Sequence, residues 1–599
     1  MAKSTPKKDI VTFKKEKAFP FFIVGLFFIL LSWFLSFYPD ITRGWGLNYI
    51  KFFSPTVIAL YYLLLFCFWF PPVNNVILKI ITRLSQKANY DFLRKYKYLW
   101  FAIIGITFGI LFYLLKIKYN FLGDIDIRAK QIEEGVIIPD EYLTMLFFNH
   151  AYSFLNAKFQ FTGLQTIQLF DYVTGSIYIF ISLCISSLMG DTFLKKTSIF
   201  IAGILSSTIL LQFCGYAEIY AFPVLFLLLY LFSCILHLKR KVRIYIPLLV
   251  LAAGMGAHLM LVCMLPSFVF LFYRSVLWKY EIFRKRITLI VISLISLLFI
   301  YFAALKYALP YILPFSPGEH DMMTMFSVSH FIEFFNSQVL ASGIGFFIWL
   351  ITIIHSLINR IKYDITQWFF LVASVSVTGL MFVFNALRGS GDWDILAFAA
   401  VVYNLSNVFF LIKLYDNKLY TNIKYGILMI CGISGLHTSM WIITNKTDIS
   451  INWVEQAITT DPANYYKLSF NNEAMMAELF STNKLEKKAL EWVKKSYQKH
   501  NEDPRMGFNY AKELFDQNQY NEAVIILEDL VNKFPYYPLS YSLLLRIYVS
   551  NNDDNSIYRV LLKMEEAYFT YTDEFNAKIS KEQMDRFFTL LNRMREEMK

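Results

Sequence analysis

The stretch Phe121-Leu122-Gly123-Asp124-Ile125-Asp126-Ile127-Arg128 follows directly on an apolar run from Tyr98 to Leu115. Two carboxylates and a guanidinium therefore stand where a membrane segment meets water. Uncharged apolar runs of this kind recur from Phe21 to about Thr444, each near the roughly 20 residues that cross a bilayer as a helix. The chain of 599 residues is 56% hydrophobic and only 17% charged, where a soluble domain carries about 25% charge. These features predict an all-α, polytopic helical membrane protein. Continuous runs, as opposed to alternating ones, exclude an outer-membrane barrel.

Charge is unevenly spread. The net charge is +12, yet residues 445–599 hold 20 basic and 24 acidic side chains, so the preceding part carries +16. That excess sits in short loops between apolar runs, the pattern of cytoplasmic loops, and no nucleic-acid partner is expected. The six cysteines lie within or at the ends of apolar runs, with no disulfide framework and no paired metal-binding spacing. The Lys-rich residues 1–17 precede an apolar run without a small-residue cleavage site, which predicts an uncleaved signal anchor.

Lys and Arg orient the spans. With the basic N-terminus cytoplasmic, spans at about 19–38 and 52–72 lead to a basic loop, 79–97, and the third span, 98–118, exits on the far side. Gly123-Asp124-Ile125-Asp126 is then extracytoplasmic. Residues 119–160 are too polar to span. After Pro139-Asp140 a helix is expected, with Leu143, Leu146, Phe147, His150 and Phe154 forming a stripe that would lie in the membrane interface. Further spans are expected at about 166–188, 197–213 and from near Gly215 to Lys239. Both flanks of 244–273 are basic, so this segment is expected to be a hairpin of two short helices broken at Gly254-Met255-Gly256-Ala257-His258, with His258 near its tip. Spans at 287–308, 341–358, 366–386, 395–414 and 426–444 complete about thirteen membrane helices. The alternation leaves the C-terminus extracytoplasmic, and compositional bias points to a bacterial inner membrane. Three regions are expected: 1–97, a tail and two additional membrane helices; 98–444, a transmembrane catalytic module; and 445–599, an extracytoplasmic helical-repeat domain.

In the last region Tyr510, Leu514, Tyr520, Ala523, Leu527, Leu530 and Pro535 have the spacing of a tetratricopeptide repeat, in which small and large residues knit two antiparallel helices. A weaker copy contains Leu485, Ala489, Trp492 and Pro504. A degenerate one runs from Tyr536 to Met564.

Under this topology Asp124, Asp126, Arg128, Glu218, His258, His320, Asp321, Arg388, Asp392 and Asp394 share one membrane face. Glu218 and His258 stand in connections too short to need polar residues, and a carboxylate at that depth is expensive unless used. Fixed charge at one face suits an amphiphilic charged ligand such as a lipid-linked phosphosugar. Cations, Arg above all, would hold its phosphate, and a carboxylate would take the proton of an attacking hydroxyl.

The strings Gly123-Asp124-Ile125-Asp126-Ile127-Arg128, Gly215-Tyr216-Ala217-Glu218-Ile219-Tyr220-Ala221 and Gly391-Asp392-Trp393-Asp394 resemble motifs of the GT-C superfamily of integral-membrane glycosyltransferases, in its protein O-mannosyltransferase-like branch. The resemblance covers about 98–414. It implies transfer of a sugar from a polyprenyl-phosphate-linked donor to an extracytoplasmic glycan, lipid or protein. Asp124 or Asp126 would be the general base, or a ligand if a divalent cation serves; the cofactor is otherwise open. Arg128, Glu218, His258, Arg388, Asp392 and Asp394 would bind substrate, with membrane lipid around the site and a protein partner at the repeats. This chain departs from the superfamily in two ways. Its acidic loop follows the third span, not the first, and its two acids are separated by Ile125. If the loop is extended there, Asp124 and Asp126 face the same way. The alternatives are an envelope polysaccharide ligase or polymerase, whose site would be the loop 309–340, and a non-enzymatic transporter or scaffold.

Overall fold

A computed structural model of the chain describes residues 20–38, 44–87, 95–121, 125–201, 203, 207–216, 218–274, 312–316, 324–384, 393–416, 423–460 and 472–597. Over these residues the fold is all-α, with 26 α-helices. The chain divides into two compact units, Met1–Tyr465 and Tyr466–Lys599. The helix Ile449–Thr460, which follows the last apolar run, belongs to the first unit.

The first unit contains α1 (Phe21–Phe37), α2 (Pro55–Trp69), α3 (Pro71–Lys87), α4 (Lys97–Leu114), α5 (Ile125–Glu133), α6 (Tyr142–Phe159), α7 (Gly163–Met189), α8 (Phe193–Phe200), α9 (Ala221–Leu238), α10 (Tyr245–Ala257), α11 (Leu265–Phe272), α12 (Val328–Ser342), α13 (Gly345–Ile358), α14 (Ile365–Val383), α15 (Trp393–Asp416), α16 (Ile423–Met429), α17 (Gly435–Lys446) and α18 (Ile449–Thr460). Six helical segments are long and apolar enough to cross a membrane: α4, α7, α9, α14, α15 and the run Ile423–Lys446 that joins α16 to α17. Two bent pairs, α2 with α3 and α12 with α13, raise the number to eight if each is one span. Several such helices make this a multi-pass membrane protein. α4 carries its apolar side chains outward, with Tyr98, Ile106, Ile110 and Tyr113 all exposed. Hydrocarbon is the solvent that tolerates such a surface, because the helix satisfies its own backbone.

The bends have local causes. Pro71 and Pro72 follow Phe70, so backbone N–H donors are missing where α2 turns by 78° into α3. α12 and α13 meet at 105°, across Gly343 in the left-handed region (φ +54). α7 and α14 start on reciprocal caps, Thr162 with Gln165 and Asp364 with Gln367.

Several expected spans take a different form. The segment expected to span 197–213 is α8 followed by a 3-10 helix, Thr208–Phe213. The loop expected at 309–340 contains α12, whose Glu333, Asn336 and Gln338 are buried. The break expected at the glycines of 254–257 falls at His258, whose backbone is extended. Gly254 and Gly256 stay helical because they admit close neighbours: a Cβ would lie 2.5 Å from Leu261 Cδ2 and 2.7 Å from Leu143 Cδ1 respectively. α10 packs on α9, whereas the segment after His258 packs on α14. The span expected at 287–308 and the signal anchor's first residues lie outside the described residues.

Contacts sort the connections into two ends. At one end the Lys118 N–H donates to Asn445 O (2.9 Å), the Ile117 N–H donates to Cys214 O (3.1 Å), and Lys118 Nζ reaches Asp448 Oδ1 at 2.6 Å. The Trp453 indole N–H donates to Trp45 O (3.1 Å), and that of Trp45 donates to Glu333 Oε2 (2.8 Å). At the other end Lys195 pairs with Asp416 (2.7 Å) and Lys413 with Asp364 (3.2 Å).

The second unit consists of α19 (Asn472–Thr482), α20 (Glu486–Lys499), α21 (Pro504–Asp516), α22 (Tyr520–Lys533), α23 (Pro538–Ser550), α24 (Asp554–Thr570), α25 (Thr572–Asn576) and α26 (Lys581–Glu597). α19 pairs with α20, α21 with α22 and α23 with α24. The turns inside these pairs hold Lys484, Asn518 and Asn552 at positive φ (58°, 60° and 54°), each 34 residues after the last. Of the residues anticipated from spacing, Tyr510, Leu514, Ala523, Leu527 and Leu530 are buried, and Ala511 is buried beside them.

Leu527 is fully buried in α22. Leu527→Ala should remove about 2–5 kcal/mol of local stability. Hydrogen exchange on the whole protein should then show faster exchange in α21 and α22, with the amides of α7 and α9 unchanged.

Candidate functional site

α5 carries the arginine of the opening stretch. Its buried face is Ile125, Ala129 and Ile132, spaced at helical intervals. It docks on the start of α7, where Gly163 lets the backbones touch: a Cβ there would lie 2.4 Å from Ala129 O. Glu133 Oε1 accepts the Gly163 N–H at 2.7 Å, so a carboxylate from α5 caps α7 at the end favoured for negative charge.

Arg128 is thereby turned towards Glu141, at the head of α6. Its Nη2 donates to Glu141 Oε1 at 2.9 Å and its Nη1 to Gln131 Oε1 at 3.1 Å. The side chains are 15% and 2% exposed, which makes this a largely dehydrated ion pair. His258 Nε2 lies 3.7 Å from the same Glu141 oxygen. The other ring nitrogen, Nδ1, accepts the Met260 N–H at 3.0 Å and caps the 3-10 helix Leu259–Met264. A nitrogen that accepts carries no proton, so His258 is the neutral tautomer with its proton on Nε2. Thr144 on α6 fastens this corner by donating to Ala257 O at 2.7 Å.

The corner continues into the turn before α9. The Tyr220 ring lies 5.1 Å from that of His258. Glu218, two residues earlier, is 2% exposed. Gly215 at the start of this turn has φ +67, and a Cβ there would lie 2.6 Å from Tyr172 Oη, so no other residue fits. Its carbonyl accepts from Gln168 Nε2 at 3.3 Å. Tyr216 then reaches α15: the Trp393 indole N–H donates to Tyr216 Oη at 3.0 Å, with the rings 5.7 Å apart. Asp394, at the start of α15, is 2% exposed and accepts the Ile395 N–H.

The structure thus joins these residues in two sets of contacts, Arg128–Glu141–His258–Tyr220 and Tyr216–Trp393. Asp124, His320, Asp321, Arg388 and Asp392 lie outside the described residues. Asp126 is in the first turn of α5, so the backbone there is helical, not extended. Among the described residues no three His, Cys, Asp or Glu side chains converge to hold a metal ion.

Three buried acids were not singled out in the sequence. Glu141 follows Pro139-Asp140 and reads as an exposed helix start. Asp171, 1% exposed, is the single acid of α7 and stands about one turn from Gln168; an isolated acid in an apolar run was the signal. Glu333 carried none, because α12 was read as loop. On α6 the expected stripe is exposed at Leu143, His150 and Phe154 and half-buried at Leu146 and Phe147, while the opposite side packs on the body, with Glu141, Thr144, Met145 and Phe148 buried. Phe147 stacks on Phe222 of α9 at 5.1 Å.

Removing one partner of a buried ion pair leaves a bare charge. Glu141→Leu should therefore cost about 3–5 kcal/mol. Thermal unfolding in detergent should show a clear fall, and Arg128→Met in the same chain should recover most of it. An unchanged midpoint for Glu141→Leu alone would refute the pairing.

In comparison with known proteins, no family model and no curated protein matches this chain.

Proposed function

We propose that the protein is a membrane glycosyltransferase that moves a sugar from a polyprenyl-phosphate-linked donor to an extracytoplasmic acceptor, a glycan, lipid or protein. The observations that support this most directly are the two sets of contacts, Arg128–Glu141–His258–Tyr220 and Tyr216–Trp393, each of which pairs residues from segments distant in sequence. The remaining spans, thirteen in all, with the N-terminus cytoplasmic and the C-terminus outside, belong to the same proposal. So does a tetratricopeptide fold for the second unit, supported by its 34-residue period.

Asp124 or Asp126 acts as general base. Asp126 lies within the helix Ile125–Glu133, two positions before Arg128, and Asp124 lies outside the described residues. Arg128, whose side chain is 15% exposed and held by Glu141, is one cation for an anionic donor. Arg388 is the second cation for the lipid phosphate. His258, neutral and aimed at Glu141, orients that carboxylate and so sets Arg128. Glu218 orients the acceptor. Asp392 and Asp394 bind sugar hydroxyls or hold Arg388; Asp394 already accepts the Ile395 N–H. A general base is worth about 10²–10⁴ in rate. The exposed apolar side of α6, with Leu143 and Phe154, faces lipid and forms the floor over which the donor's polyprenyl chain enters.

A transfer assay on the purified protein with polyprenyl-phosphate sugar donors tests this. One of Asp124→Asn and Asp126→Asn should lose about 100-fold or more of the rate, while Glu134→Gln, at the exposed turn after α5, should retain it. Wild-type rates for both aspartate variants would remove the catalytic assignment.

A further inference from the structure

The second unit is laced with ion pairs. Arg505 pairs with Asp503, Arg559 with Glu528, Arg586 with Glu582, Arg593 with Glu597 and Arg595 with Glu565. The remaining arginine of this unit, Arg546 on α23, is exposed and has no acidic partner among the described residues. Its guanidinium instead sits 4.9 Å from the centre of the Phe515 ring on α21. An aromatic face of this kind holds an arginine in place and leaves its N–H fork open.

α23 is packed by α22 and α24 and touches α21. Its surface is reduced to one stripe: Leu539 and Ser542 are half-buried and Arg546 and Val549 exposed, while Leu543, Leu544, Leu545, Ile547 and Tyr548 are buried. The positions recur at helical spacing, so they form one line. On α21 the half-buried Phe508, the exposed Lys512 and the half-buried Phe515 form a parallel line at the same spacing. Lys512 likewise has no ion pair among the described residues, although Asp516 stands one turn away. Two open cations on adjacent helices thus alternate with Phe508, Phe515, Leu539 and Val549. The charges call for carboxylates, and the apolar neighbours call for aliphatic side chains between them.

We propose that the α21–α23 face binds an acidic peptide segment with interspersed apolar residues. Arg546 takes a carboxylate through its planar fork, Lys512 takes a second as a point charge, and the apolar positions receive the side chains between. Charge complementarity selects this occupant over a basic or neutral peptide. The inference is independent of sugar transfer and stands or falls without it.

The test is fluorescence anisotropy on the full-length protein in detergent, with a labelled peptide of alternating Asp and Leu as probe. The expected result is saturable binding that weakens with salt. The double variant Lys512→Gln/Arg546→Gln should weaken it by about tenfold or more, and Lys578→Gln, at an exposed lysine elsewhere on the unit, should not. Hydrogen exchange of α21–α24 in the double variant controls for folding. Equal binding of a Lys-Leu peptide, equal binding by the double variant, or no binding at about 1 mM would overturn the proposal. So would light scattering in which wild type self-associates, the double variant does not, and neither takes the peptide; the face would then belong to a second copy. Displacement of the probe by soluble anionic phospholipid but not by unlabelled peptide would assign it to lipid instead.

Discussion

The Arg128–Glu141 pair is the constraint on which one end of the helical body turns. Two ions taken out of water lose several kilocalories of hydration each, and only close geometry with further hydrogen bonds returns it. Here the geometry requires three separate segments at once. α5 must dock against Gly163 to present Arg128, α6 must begin at Glu141, and the chain must break at His258 to bring a ring nitrogen to the same carboxylate. An apolar substitute would fill the space but would not demand that register. The ion pair therefore sets where the segment 125–159 rests on the membrane helices, and with it the placement of α5.

Around this corner the aromatic side chains do what the charges cannot. Tyr216, Trp393, Trp441 and Trp453 are all buried and follow one another at ring separations of 5.7, 5.7 and 4.9 Å. Large flat surfaces bury well, and the tips of Tyr216, Trp393 and Trp453 find partners in one another or in backbone carbonyls. The series links the turn before α9 to α15, α17 and α18. It carries the rigidity of the corner across the end of the body.

How much of this the sequence disclosed depended on whether the signal was local. The apolar runs needed only composition, and the paired helices of the second unit needed only the spacing of Tyr510, Ala523 and Leu527. The meeting of the Glu218 turn with His258 and with Trp393 could be anticipated because short connections with costly polar residues are rare. Glu141 could not be. Beside Pro139-Asp140 it has the look of an exposed helix start, and only the fold removes its water. The break at His258 was placed too early, at glycines. Those glycines serve contact with Leu143 and Leu261, so they mark close packing of helices and not the end of one. α12 has a loop-like sequence because Glu333, Asn336 and Gln338 lower its apolar signal, and a partner such as Trp45, which meets Glu333, comes from elsewhere in the chain.

The left-handed residues Lys484, Asn518 and Asn552 have a further consequence. Because each closes an equivalent turn, each helix pair is a module whose stability comes from itself and its nearest neighbour. Such a stack can open from its free end, one module at a time, without a single cooperative collapse. A chain built this way can also gain or lose a module over evolutionary time while its membrane portion stays as it is. The length of the stack then becomes a quantity set by copy number, adjustable separately from whatever the membrane helices do.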